Sequence, residues 1–428
     1  MRSLYNWNKV FNRVMDIKDS YLQTHSSIDY NDHDENETII HSLVNGIKDD
    51  IKRDFYKDWL STLKITQNGH NCLLHYDLIA SAEEMWSDIN SINIEARSIY
   101  IDIENESIIL CPMPKFFNID EIKENEFSLI LDKINKSSIF EITEKLDGSN
   151  QNATFYNNEV ILCGSTACDP EKSWRIVEGY KILYSNEGYI NMLKDNVNKT
   201  FIFELIHPED AHVVAYKEGS IGLYLLCVRD NFNGNMASYK EIIDIAEKYG
   251  IPHTKMEEYT IDELLANRSK FSADELEGWV LNIDGYRVKF KTDDYLKMHK
   301  CFSNRSISKI LIQEIADGTI DDFLAAVPTR VKDMSKEIIP LILDYVKNLE
   351  DEINVYWEKY KNIENQKDFA LRINSEVPNE FRGYLFTKRA GKELNLLKLG
   401  CGYKKPKDLG IGNYYIKFAE INTKEEEE

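Results

Sequence analysis

The chain has 428 residues, of which 43% are apolar and 29% charged, a composition that can bury a sizeable core and excludes an intrinsically disordered chain. Its 52 basic against 73 acidic residues give a net charge of −21, which argues against a coat for nucleic acid but not against an enzyme that grips a few phosphates locally. No stretch reaches the roughly 20 apolar residues of a membrane helix, the first residues lack the apolar core of a secretory signal, and seven dispersed cysteines fit reduced thiols in a cytoplasmic compartment.

In chain order, residues 28–37 are polar and acidic and read as an exposed loop, and apolar spacing predicts a helix over 38–64. His70, Cys72 and His75 cluster, but no fourth ligand stands at zinc spacing, so incidental clustering near a strand or turn is the preferred reading. From about 92 to 290 short runs rich in Ile, Val, Phe and Tyr recur: 96–103, 107–113, 138–145, 201–207 and 221–230. Residues 153–163, around Asn157-Asn158, and 278–291, around Asp284-Gly285, read as β-hairpins. Helical stretches intervene at 171–195, 239–250 and 260–268. The pattern is α+β and mainly antiparallel rather than alternating βαβ. After about 300 the strand texture stops, and 305–326, 329–364, 366–375 and 378–400 carry helical periodicity. The expected division is 1–91, a helical N-terminal extension of the catalytic region; 92–301, a catalytic domain; 302–420, a helical domain; and 421–428, an acidic solvated tail.

The sharpest chemical signal is Lys145-Leu146-Asp147-Gly148. A lysine at a strand end before an Asp-Gly turn can expose a nucleophilic amine if its pKa is lowered; taken alone, the motif also reads as a surface lysine beside an ordinary turn. Glu204 sits in the apolar run 201–206, where an acid is costly unless it binds a cation. Glu277 precedes Gly278 at the entry to a strand. Lys289 and Lys291 fall on one face of a strand, about 7 Å apart, which suits a polyphosphate or an ordinary solvent face.

Together, in this order, KxDG, a strand acid, EG and KxK resemble the signature of the covalent nucleotidyltransferases, the polynucleotide ligases and RNA-capping enzymes. Further segments resemble the ATP-dependent RNA ligases typified by bacteriophage T4 RNA ligase 1: Arg97-Ser98-Ile99, Pro112–Asn118 with its KFFN, Leu226–Asn231, and Lys289–Tyr295 ending at His299. The resemblance implies an ATP-grasp-like nucleotidyltransferase domain of antiparallel sheets flanked by helices. It implies ATP and Mg²⁺, with Mn²⁺ able to substitute, and a lysyl–AMP intermediate on Lys145. Asp147, Glu204, Glu277, Lys289 and Lys291 are then catalytic, with Glu204 and Glu277 toward the metal, directly or through water. Arg97 and Lys115 are expected on the β and γ phosphates, and Gly148, Phe117 and Tyr295 lining the nucleotide site. Lys289, Lys291 and the metal are expected to lower the pKa of Lys145.

Two departures stand out. Ser98 replaces the glycine of the family's RG element, and Ile161–Ser165 lacks the lysines found there, with Lys172 or Arg175 as the nearest substitutes. DNA ligases and capping enzymes share the core but typically continue into a β-rich OB domain, whereas helices follow here. That difference favours RNA ligase, with 5′-phosphate and 3′-hydroxyl RNA ends as substrate, nicked tRNA among them. It also implies a separate kinase–phosphatase for end healing, since no GxxxxGK[ST] loop occurs, and phage or viral counter-repair in a host cytoplasm as the setting. A capping-type or DNA-ligase-type enzyme, or a degenerate member that only binds nucleotide or RNA, is the alternative. His207 and His212 read as loop residues rather than acid–base catalysts. Between Gly383 and Lys407 seven basic residues face one acid, which reads as an RNA-backbone patch or as a solvated helix face.

Overall fold

The computed structural model describes residues 2–30, 37–77, 91–207, 210, 213–214, 216–217, 219–296, 307–327, 329–392, 394 and 396. The chain divides into two units: residues 1–207, 216–270 and 276–292, and residues 208–215, 271–275 and 293–428.

The first unit opens with α1 (Lys9–Leu22), capped by the Asn8 side chain on the Phe11 N–H, then α2 (Ile39–Gly46) and α3 (Asp50–Leu60). The helix expected over 38–64 is two helices. The chain leaves helical geometry at Ile47, and the Asp49 side chain starts α3 by accepting from the Lys52 N–H. A hairpin follows that the periodicity did not reveal, β1 (Leu63–Asn68) and β2 (Asn71–Tyr76); it pairs onward with β3 (Arg97–Asp102) and β4 (Ser107–Leu110) as a four-stranded antiparallel sheet. The three N-terminal helices pack on it through Val10, Phe11, Ile40, Leu43, Leu74 and Ile101.

After α4 (Phe127–Lys136), the next strands are β5 (Phe140–Lys145), β6 (Ser149–Tyr156) and β7 (Glu159–Cys163). Then come α5 (Trp174–Ser185) and α6 (Glu187–Asp195), separated at Asn186, which caps the second. They are followed by β8 (Lys199–Ile206), β9 (Gly222–Asp230), α7 (Tyr239–Tyr249), β10 (Met256–Glu257), α8 (Ile261–Asn267), β11 (Gly278–Ile283) and β12 (Tyr286–Lys291). These strands make two more antiparallel four-stranded sheets, ordered β10-β5-β11-β12 and β7-β6-β8-β9. Both hairpins expected from the sequence are present. Asn157 and Asn158 (φ 50° and 64°), and Asp284 and Gly285 (φ 49° and 89°), take the left-handed conformations that a two-residue hairpin turn requires.

The second unit is helical: α9 (Ile307–Asp317), α10 (Ile320–Ala326), α11 (Thr329–Tyr360), α12 (Gln366–Glu376) and α13 (Asn379–Arg389). Ile353, Phe369, Ile373, Phe381 and Leu385 form a core between its last three helices. Among the described residues no helix is long and apolar enough to cross a membrane. The fold class is α+β, antiparallel sheets flanked by helices and followed by a helical region.

Candidate active site

Lys145 is the last residue of β5, opposite Gly278 on β11, so the pairing of these strands places the lysine beside the residue that precedes Gly278. That residue, Glu277, bonds Lys145 Nζ through Oε2 at 2.6 Å and Lys291 Nζ through Oε1 at 2.9 Å. Gly278 makes the approach possible: its φ is +146°, and a Cβ there would lie 2.3 Å from the Phe290 carbonyl oxygen and 2.6 Å from Lys291 Cα.

The Asp-Gly turn leads into β6, where the Gly148 N–H donates to Glu204 Oε1 at 3.0 Å and the Asp147 N–H donates to the Tyr216 hydroxyl at 2.6 Å. Gly148 is also sterically required, since a Cβ would lie 2.4 Å from the Leu205 carbonyl oxygen. Lys145, Gly148, Glu204, Lys289 and Arg97 all line one cavity of about 320 Å³.

The KFFN segment runs alongside β12. Lys289 donates its N–H to the Phe117 carbonyl at 2.9 Å and accepts from the Ile119 N–H at 3.0 Å, so the upstream and downstream motifs are joined by backbone. Phe117 is buried, with Lys115 Nζ 5.1 Å from its ring centre. Its neighbour Phe116 faces the cavity, with Lys289 Nζ at 4.9 Å and the Arg97 guanidinium at 5.3 Å from its ring. Arg97 follows from the pairing of β3 with His75 on β2. Lys115 lies 4.0 Å from Glu121 and lines a smaller adjoining cavity with Phe116 and Phe117. Tyr295 is a buried residue of the second unit.

The electrostatics differ from expectation at the central lysine. Burial would depress Lys145, but Glu277 and then Glu204 outweigh it and raise its pKa above the ordinary lysine value. The carboxylates, not the neighbouring lysines, dominate its surroundings. The depressed lysine is Lys289, pushed well down by burial and then by Lys115 and Arg97. For Glu277, burial acts upward, but Lys145 and Lys291 together hold its carboxyl below the usual range. Glu204 is left raised to about 7, by burial that Lys145 only partly offsets.

This donor set fits a divalent cation. Glu204 and Glu277 offer carboxylate oxygens, and Glu204 carries the burial penalty that a cation would relieve. Among the described residues no three or more His, Cys, Asp or Glu converge on one point. The protein would therefore supply one or two carboxylates and leave the remaining positions to phosphate and water, the usual arrangement for Mg²⁺.

Ser98 takes φ +68°, the left-handed conformation that suits a glycine, and is fully buried. Its hydroxyl donates to the Ser165 carbonyl at 2.7 Å, and Ser165 lines the cavity in the stretch without lysine. Lys172 pairs weakly with Asp169 at 4.0 Å, and Arg175 stacks on Trp174 at 4.9 Å. His75 is held neutral, its pKa lowered to about 4 by burial and then by Arg97, Lys64 and Lys115. Phe116 and Ser165 lie in segments the sequence marked but were given no role there, and Tyr216 was not singled out, because a lone tyrosine outside any motif carries no spacing signal. Of the histidines after Glu204, His207 lies 3.9 Å from Glu178, while His212 and the motif's His299 fall outside the described residues. In the basic segment, Lys388 bonds Asn354, and Arg389 bonds the Ile363 and Glu364 carbonyls at 2.7 and 2.8 Å. Lys398, Lys404, Lys405 and Lys407 lie outside the described residues.

Residues 95–295 match the RNA ligase family model of the T4 RNA ligase 1 type. Among solved structures the chain is similar to Naegleria gruberi RNA ligase. One structure, a lysine-to-alanine mutant with ATP and Mn, has a TM-score of 0.36 and 19% identity over 44% of this chain and 57% of that one. The ligase with PPi has a TM-score of 0.34 and 20% identity over 44% and 57%. A lysine-to-methionine mutant with AMP and Mn has a TM-score of 0.34 and 19% identity over 44% and 57%. The chain thus spans just over half the length of these solved chains.

Proposed function

From the RNA ligase match of residues 95–295, we propose that this chain is an ATP-dependent RNA ligase that joins 5′-phosphate and 3′-hydroxyl ends. The observation that carries this reading is the Lys145–Glu277–Lys291 ion-pair chain beside the cavity that Glu204 and Lys289 also line. A pure binding module has no need of a half-buried lysine ion-paired to a buried glutamate that also holds a second lysine.

In the first step Lys145 Nζ attacks the α-phosphorus of ATP. The N–P bond forms, the bond to the β-phosphate oxygen breaks, and pyrophosphate leaves. Lys145 must give up its proton first, so Glu277, which holds it charged, must loosen its grip as the nucleotide enters. Lys289 and Lys291 would face the negative charge that gathers at the α-phosphate, and that charge would favour their protonated forms. Arg97 and Lys115 would hold the β and γ phosphates. Glu204 and Glu277 would hold Mg²⁺, or Mn²⁺ in its place, and the cation would offset phosphate charge. AMP then passes to the RNA 5′-phosphate, and a 3′-hydroxyl attacks that activated end, releasing AMP.

Nicked tRNA is the proposed substrate class, on the strength of the helical region that follows. A separate kinase–phosphatase is the proposed source of the 5′-phosphate and 3′-hydroxyl ends. The second reading, a non-catalytic nucleotide- or RNA-binding member, draws on the missing lysine at the cavity wall by Ser165.

The test is label transfer from ATP labelled at the α-phosphate, with Mg²⁺ and no RNA, read on denaturing gels beside GTP. Label is expected on the protein from ATP and absent from Lys145→Ala. The same variant is expected still to seal RNA that is already adenylylated. Folded, unadenylylated protein that takes no label would move the reading to the non-catalytic member, and label from GTP alone would move it to a capping-type enzyme.

A further inference from the structure

Cys163 ends β7, and Cys168 lies just beyond the bend that follows it. The bend is closed by the Gly164 N–H donating to the Ala167 carbonyl at 2.8 Å, which leaves the two flanking cysteines facing one another. Both cysteines lie in one small buried core with Tyr100, and each thiol shifts the other's proton affinity. Cys163 is fully buried, whereas Cys168 keeps 9% exposure, so a small reagent meets Cys168 first. The residue carried at the middle of the bend is Ser165, which lines the cavity and receives the Ser98 hydroxyl.

We propose that Cys163 and Cys168 are a modification site, a dithiol that peroxide-class oxidants close to a disulfide at the wall of the cavity. Cys163, aided by Tyr100, holds Cys168 below the ordinary thiol range despite the opposing effect of burial, and this lowering favours the Cys168 thiolate. That thiolate attacks one peroxide oxygen. The O–O bond breaks, a sulfenic acid forms, and the second oxygen leaves as water after taking up a proton. Cys163 then attacks the sulfenic sulfur, the S–S bond forms, and the hydroxyl leaves as water with the Cys163 proton. In sum, two thiols are oxidised by two electrons and one peroxide is reduced to two waters. Closing the bridge brings the two sulfurs to about 2 Å. The bend contracts, and Ser165 is pulled from Ser98, the neighbour of Arg97.

The effect on activity rests on the ligase reading, but the bridge itself does not. Full-length reduced protein is treated with hydrogen peroxide, then divided between label transfer and tryptic mapping without reductant. Both cysteines fall in the single peptide 146–172. The bridge is therefore expected as that peptide lighter by two hydrogens and closed to alkylation, restored by dithiothreitol. Label transfer is expected to fall by roughly ten- to a hundredfold, the scale of a small misplacement at a reacting centre, and to recover with dithiothreitol. Cys168→Ser, and independently Cys163→Ala, are expected to keep basal label transfer and lose the peroxide response. An unchanged peptide, a sulfinic acid in place of a bridge, or pairing of Cys168 with nearby Cys72 would overturn the assignment. A bridge that leaves label transfer unchanged would overturn its coupling to the cavity. Reduced protein that takes no label would count against the ligase reading, while the peptide map would still decide the bridge.

Discussion

At the residue scale, the two acids flanking Lys145 hold different burdens. Glu277 has two lysines and stays ionised, while Glu204 has a glycine N–H and a share of Lys145. A carboxyl raised from 4.5 to about 7 binds its proton more tightly folded than unfolded. The penalty is thus absent below pH 4.5, builds between pH 4.5 and 7, and is complete above 7. Glu204→Gln is therefore expected to stabilise the nucleotide-free protein at pH 8, by at most ~3 kcal/mol and less where cavity water reaches the carboxylate. The gain should fade toward pH 5, as read from denaturant midpoints across pH; a gain that grows on acidification would contradict the assignment. Mg²⁺ or Mn²⁺ should stabilise the parent at pH 8 and leave the Gln variant nearly unmoved.

Ser98 offers a second residue-scale test. Left-handed backbone costs a non-glycine residue roughly 1–2 kcal/mol, and a hydrogen bond such as that to Ser165 returns about 1 kcal/mol. Ser98→Gly should therefore be close to neutral, whereas Ser98→Ala keeps the strain, loses the bond and should cost about 1–2 kcal/mol in thermal or chemical unfolding. At this scale the sequence was informative where motif residues are charged and silent on their partners. It named Lys145, Glu204, Glu277, Lys289 and Lys291, but which acid takes which lysine depends on strand register. The expectation of a depressed Lys145 failed for that reason: Glu277 turned out to touch it.

At the element scale, the site is a product of strand pairing. β5 carries Lys145, β11 opposite it begins beside Glu277, and β12 brings Lys289 and Lys291. Gly278 permits the close crossing of β11 and β12, and Gly148 that of the KxDG turn over β8. Gly278→Ala and Gly148→Ala are each expected to cost about 1–3 kcal/mol through backbone displacement and to abolish label transfer, since the clash falls on peptide groups that cannot rotate away. A fully labelled Gly148→Ala protein would contradict the geometry.

Elements with a strong local signal were legible. The Asn157-Asn158 and Asp284-Gly285 hairpins and the helix at 239–249 agree with expectation, the helix because Ser238 and Glu241 form a reciprocal cap. β1 and β2 were not, because their alternation is short and runs on from α3 without a proline. The helix expected over 171–195 splits at Asn186 for a similar reason, as Asn186 caps the second half without disturbing the apolar period.

At the scale of the whole molecule, the acidic excess makes any RNA contact depend on local basic clusters. Arg389 is not free for that task. Its guanidinium closes the connection between α11 and α12 through two backbone carbonyls and stacks on Phe369 at 4.2 Å. Arg389→Ala is expected to lower the stability of the second unit by about 1–3 kcal/mol, while label transfer from ATP persists; limited proteolysis separates the two effects. Charge reversal at Lys392, Lys398, Lys404, Lys405 and Lys407 should instead raise the RNA concentration required for sealing and flatten its salt dependence. Unchanged RNA affinity would remove the patch from the site.

The backbone link between the KFFN segment and Lys289 has a consequence for synthesis. A ribosome that has released residues 1–270 has delivered Lys145, Glu204, Arg97 and Phe117, yet neither β11 nor β12 exists to receive them. The nascent lysine has at that moment no Glu277 to hold it and no Lys289 or Lys291 at its side. On the proposed ligase reading, reactivity toward ATP would require this last hairpin of the first unit and could not precede its synthesis. A chain cut short before residue 278 is thus expected to take no label from ATP at all, rather than to act as a weak enzyme; partial labelling of such a chain would contradict the dependence on β11 and β12.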